Sequence, residues 1–111
     1  MDIQVESHRN SQIVRINGKL TSECGSELRQ RLNTVLARQG IQEVIVDLKG
    51  VPFIDSSGVG EILRLFKRVR GIEGQVVLMN PNKKLRDLFL MYKFDRFMKV
   101  CGEEDLGRSA V

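Results

Sequence analysis

The chain has 111 residues, 41% of them hydrophobic and 29% charged, a composition that fits one compact globular domain with a single apolar core. No apolar run approaches the roughly 18 to 20 residues that cross a bilayer. The first ten residues, with Asp2 and Glu6, lack the apolar stretch of a secretory signal, so a cytoplasmic location without membrane insertion is expected. The net charge of +4 is mildly basic, but with 5% aromatic residues and no Trp the chain lacks the stacking side chains of a single-strand nucleic-acid platform, and no nucleic-acid partner is expected.

In chain order, two short strands open the sequence, around Ile3 to Val5 and Ile13 to Ile16, separated by the polar turn His8-Arg9-Asn10-Ser11. Gly18 ends the second. From about Ser22 to Arg38, Cys24, Leu28, Leu32, Val35 and Leu36 recur at helical spacing. Glu23 and Glu27 suit the positive end of that helix, and Gly40 is expected to close it. Val44, Ile45, Val46 and Leu48 form a nearly continuous apolar strand, which implies burial on both faces beneath helices, and Pro52 stops it. A second helix is expected from about Ser57 to Val69, with Val59, Ile62, Leu63, Phe66 and Val69 facing the core and Glu61, Arg64, Lys67 and Arg68 facing solvent.

Gly71 to Gly74 turn the chain into a strand from Val76 to Met79. Asn80-Pro81 reads as an N-cap and first helical residue, followed by a helix presenting Leu85, Leu88, Phe89 and Tyr92. A last strand holds Phe97, Met98 and Val100, and residues 102–111 read as a loose tail. The order β-β-α-β-α-β-α-β implies a single α/β domain, a mixed four- to five-stranded sheet with three to four helices packed on it.

Metal and cofactor chemistry find no support in these residues. Cys24 and Cys101 are far apart and fit no CxxC spacing, and His8 is the sole histidine, so free thiols and no metal site are expected. The most informative stretch is Phe53-Ile54-Asp55-Ser56-Ser57-Gly58-Val59-Gly60, between a central strand and a helix. Asp and Ser are good N-cap residues, and the two glycines allow close approach of another backbone. A nucleophile elbow is absent and no histidine lies nearby. The glycine-rich dinucleotide fingerprint fails at Leu63, and no Gly-Lys-Ser/Thr follows for a phosphate loop. No catalytic residue is assigned. Two readings remain for this loop: a capping turn with no further role, or a serine presented to another protein.

Val-Ile-Val-Asp-Leu-(x)4-Phe-Ile-Asp-Ser-Ser-Gly-Val, from Val44 to Val59, closely resembles the STAS domain family, and within it the bacterial anti-sigma-factor antagonists. Asn17-Gly18-Lys19-Leu20 and Leu85-x-x-Leu-Phe extend the resemblance over nearly the whole chain, as a single STAS domain across residues 1–111. The resemblance implies that Ser56 is the phosphoacceptor, within a loop of Asp55, Ser57, Gly58 and Gly60. It also implies a partner that is both serine kinase and anti-sigma factor, and a metal-dependent serine phosphatase that reverses the modification. The unmodified protein would bind the anti-sigma factor and so release a sigma factor for transcription. Thr21 stands where the family often has aspartate near the partner interface, and is expected to cap the first helix. Glu61, Arg64, Lys67 and Arg68 join it as candidate interface residues. Ser57 is expected to cap the second helix. Lys93 stands where many relatives have glycine in a left-handed cap. The same fold also serves as an accessory subunit of lipid ABC transporters and in stress-signalling assemblies, which is the alternative reading.

Overall fold

A computed structural model describes residues 1–102; the remainder of the tail expected over 102–111 lies outside the described residues. Five strands, β1 (Asp2–His8), β2 (Ser11–Asn17), β3 (Glu43–Gly50), β4 (Gln75–Met79) and β5 (Lys99–Cys101), form one sheet in the order β1-β2-β3-β4-β5. The first pair is antiparallel and the other three are parallel, so the sheet is mixed as expected. Helices α1 (Gly25–Leu36), α2 (Ser56–Gly71) and α3 (Lys83–Met91) make the three crossovers, and a 3-10 turn (Phe94–Arg96) follows α3.

Strands added successively in one direction by crossovers of one hand carry their helices on the same side of the sheet. The main core accordingly joins Val14, Ile16, Val44, Val46, Leu48, Val76 and Leu78 to the apolar stripes of all three helices. The opposite face holds a smaller buried cluster of Ile45, Val77, Met79 and Cys101. The continuous apolar run of β3 is thus buried on both sides as read, but the three helices share one face, which corrects the expectation of helices over both. Alternation along a strand assigns side chains to faces without saying what covers each face.

Several boundaries differ from the sequence reading, each for a local reason. The first helix starts at Gly25, because the chain before it folds into a turn closed by Cys24 N–H to the Thr21 carbonyl at 3.2 Å. Cys24 is the N-cap residue and makes no side-chain cap bond, so Thr21 does not cap α1. The Cys24 thiol instead donates to the Lys19 carbonyl at 3.0 Å and accepts the Thr21 N–H at 3.2 Å. Gly40 does not close α1 either. The helix ends at Leu36 with Ala37 as a right-handed C-cap, and Gly40, at φ +80°, turns the chain toward β3.

The third helix is capped by Asn82, whose side-chain oxygen accepts the Leu85 N–H at 2.9 Å, rather than by Asn80, which sits at φ 60°. Leu85 and Phe89 are its buried residues, and Phe89 stacks on Phe94 at 5.6 Å between ring centroids. Tyr92, expected on the packing face of the helix, is 43% exposed, and Phe97 and Met98, expected in the last strand, precede β5, which starts at Lys99. Lys93 follows the Tyr92 C-cap at φ 62°, ψ 32°, the left-handed position that the family resemblance implies. Both cysteines are free thiols, Cys24 half-buried and Cys101 buried.

Candidate functional site

The phosphorylation-loop candidates sit at the C-terminal ends of the parallel strands, where β2 and β3 run out into paired loops. Leu20 and Ile54 form an isolated parallel bridge, with Leu20 N–H donating to the Phe53 carbonyl at 3.0 Å and Asp55 N–H to the Leu20 carbonyl at 3.3 Å. Leu20 and Ile54 are buried, so this bridge pins the loop to the core. Thr21 follows Leu20 as Asp55 follows Ile54, and the two chains leave the bridge side by side. That places half-buried Thr21 beside the start of the serine loop.

Asp55 is the N-cap of α2. Its backbone is extended (φ −94°, ψ −176°), its Oδ1 accepts the Gly58 N–H at 3.0 Å, and its carbonyl accepts the first helical bond, from Val59 N–H at 3.0 Å. This corrects the assignment of the cap to Ser57. The helix begins one residue earlier than read, and Ser56 and Ser57 occupy its first two positions, both exposed. A carboxylate caps as well as a hydroxyl and also suits the positive helix end.

The two glycines of the loop differ. A Cβ on Gly58 would lie 2.4 Å from the Leu20 carbonyl oxygen and 2.7 Å from Ile54 Cγ2, so the close approach of α2 to the bridge excludes any side chain there. A Cβ on Gly60 would meet nothing within 4 Å.

Glu61 is the main correction to the interface candidates. Helical periodicity places it toward solvent, yet it is 7% exposed, turned into the seam between α1 and α2. Arg29 of α1 donates from Nη2 to Glu61 Oε1 at 2.5 Å, and Arg64 Nε lies 3.7 Å from Oε2. The hydrogen bond to Glu61, and then its charge, raise the Arg29 pKa further above its already basic range. Arg64, Lys67 and Arg68 are exposed as read, and Arg68 hydrogen-bonds to Asn33 of α1. Arg29, Ser22 and Ser26 were absent from the candidate residues. They face Ser57, Gly60 and Arg64 across an open groove of about 410 Å³ that Glu61 also lines. No local pattern marks Arg29, because its partner is 32 residues away.

Among the described residues no group of three or more His, Cys, Asp or Glu could hold a metal ion, and no helix is long and apolar enough to cross a membrane. His8 lies at the far edge of the sheet with its Nε2 2.8 Å from Glu6 Oε1, remote in the fold from the serine loop.

Comparison with known proteins follows the same lines. The chain is 27% identical over 104 residues to the anti-sigma F factor antagonist of Paenibacillus polymyxa, covering 94% of this chain and 89% of that one. It is 32% identical over 91 residues to the anti-sigma-B factor antagonist of Bacillus subtilis (strain 168), covering 80% and 82%. The solved structure of the phosphorylated Bacillus cell fate determinant SpoIIAA superposes with a TM-score of 0.76 over 99% of this chain and 100% of that one, at 23% identity, which is likeness of fold. The STAS domain model itself matches residues 2–106, and the chain belongs to the STAS domain family.

Proposed function

We propose that this protein is an anti-sigma-factor antagonist that works by binding rather than by catalysis, and that phosphorylation of Ser56 controls the binding. The names of its relatives support the class, as does the existence of SpoIIAA in both unphosphorylated and phosphorylated forms. The observation that carries the residue assignment is the exposed Ser56 hydroxyl at the first position of α2, held by a cap and a backbone bridge that do not use it.

In this reading the unmodified protein occupies an anti-sigma factor that is also its serine kinase, and a sigma factor is released for transcription. A metal-dependent serine phosphatase restores the unmodified form, and the exchange takes place in the cytoplasm. Phosphorylation adds about 1.5 to 2 negative charges and three strong acceptor oxygens. At the N-terminus of a 16-residue helix the free N–H groups and the dipole accommodate that charge, so the fold stays as it is. The effect falls on the contact surface. Asp55 is committed to the Gly58 N–H and cannot swing away, so a phosphate on Ser56 stands next to a fixed carboxylate and presents bulk and charge to a partner fitted to a neutral hydroxyl. A loss of about 3 kcal/mol there weakens binding more than a hundredfold.

The test has two parts. Incubation with the cognate kinase and ATP, followed by intact mass and site mapping, should place one phosphate on Ser56. Titration of the anti-sigma factor should then find Ser56→Ala near wild type and Ser56→Asp weakened at least tenfold. Equal affinities for all three, or a phosphate mapped elsewhere, refute the assignment.

A further inference from the structure

We infer that the groove between α1 and α2 receives an acidic segment of the anti-sigma factor, with Gly60 as its bare floor and Arg29 and Arg64 as its charged walls. The inference rests on the proposed function and names the chemistry of the partner at the same site.

Two independent observations carry it. The first is Gly60. It is the fifth residue of α2, its backbone is not left-handed, and an added Cβ would meet nothing, so the fold has no use for glycine there. Glycine is the poorest helix former after proline. Gly58, two residues earlier, has a packing reason for lacking a side chain, and Gly60 has none except the groove that it lines. A bare floor admits the backbone of another chain.

The second observation is charge. The side chains of Arg29 and Arg64 are 45% and 56% exposed, while that of the Glu61 they share is 9% exposed. The carboxylate therefore shows little of itself to solvent, and two guanidinium groups, each with five N–H donors, retain unused donors along the groove. Arg68 continues the same wall one turn farther, beside Arg29 and Arg64. Ser57, Gly60, Arg64 and Arg68 are spaced three, four and four residues apart, one stripe of α2. A segment carrying Asp or Glu meets complementary charge here, and planar guanidinium groups suit carboxylates in particular. Ser57 lines the groove and Ser56 precedes it in the chain, so a phosphate on Ser56 would stand beside the groove, where it repels an acidic occupant and competes with it for the arginines.

The experiment titrates the cognate anti-sigma factor into the full chain. Gly60→Ala should raise the unfolding midpoint by about 4 °C, as a better helix former, and yet weaken binding at least tenfold, with Gly60→Gln weaker again. Arg64→Gln should lower the affinity about tenfold and flatten its dependence on salt. A stabilised Gly60→Ala variant that binds within twofold of wild type overturns the groove, as does an unchanged salt dependence for Arg64→Gln. A wild type that fails to bind, or a Ser56→Asp that binds as well as wild type, overturns the proposed function instead and the groove with it.

Discussion

Replacing Gly58 by alanine sets two effects of opposite sign against each other within one turn of α2. Alanine in a helix interior is favoured over glycine by about 1 kcal/mol. The new Cβ, however, would sit 2.4 Å from the Leu20 carbonyl oxygen, 2.7 Å from Ile54 Cγ2 and 3.0 Å from Leu20 Cγ. The first of these atoms is backbone, held in a hydrogen bond from Asp55 N–H, so no rotamer change relieves the contact. Forcing extra volume into a packed site costs about 1 to 3 kcal/mol, and the backbone contact puts this case at the upper end.

The expected net loss is about 2 kcal/mol, or roughly 8 °C in Tm for a domain of this size. Urea unfolding followed by far-UV circular dichroism measures it, with Gly60→Ala as the comparator that has the same helix gain and open space around the new methyl. The difference between the two variants should be close to 3 kcal/mol, the whole of the steric cost. Equal midpoints for Gly58→Ala and Gly60→Ala would refute the claim that α2 is seated on the Leu20–Ile54 bridge by the absence of a side chain.

Two further perturbations test other parts of the fold. Lys93 occupies the left-handed region at φ 62°, ψ 32°, where a Cβ costs about 1 to 2 kcal/mol and glycine costs none. Lys93→Gly should therefore stabilise the domain by about 0.5 to 1 kcal/mol after the extra chain entropy of glycine, and a lower denaturation midpoint contradicts the reading. Glu6 is held below the usual carboxylate range by its hydrogen bond to Arg15 and then by that to His8. With a folded pKa below the unfolded one, the group stabilises the fold above the unfolded value and loses that contribution as pH falls below 4.5 through the folded value. Carbon-detected titration of the Glu6 carboxyl should show its midpoint moving up in Arg15→Gln, and an unmoved midpoint removes Arg15 as the cause.

The sheet-and-helix order is legible in the sequence, as is the position of the serine loop between β3 and α2. Apolar periodicity and breakers such as Pro52 and Gly74 act within a few residues, so a reading along the chain recovers them. The left-handed position of Lys93 follows from the family resemblance and not from any pattern along the chain. The cap of α2 is not legible in the sequence, because Asp55, Ser56 and Ser57 all cap well and nothing local chooses among three adjacent good caps. The Leu20–Ile54 bridge chooses, by fixing Asp55 in extended backbone with its carboxylate over the Gly58 N–H.

By itself the sequence determined which segments are strands and helices, which residues of each are apolar, and that an Asp-Ser-Ser-Gly turn stands between a central strand and a helix. Only the tertiary structure decided that Glu61 turns inward to Arg29, that Gly58 is sterically required while Gly60 is free, and that the three helices share one face of the sheet. The reason is one of range. Periodicity reports how a residue is oriented on its own element, whereas a salt bridge across 32 residues and the space beside a glycine depend on how the crossovers set one helix against the next.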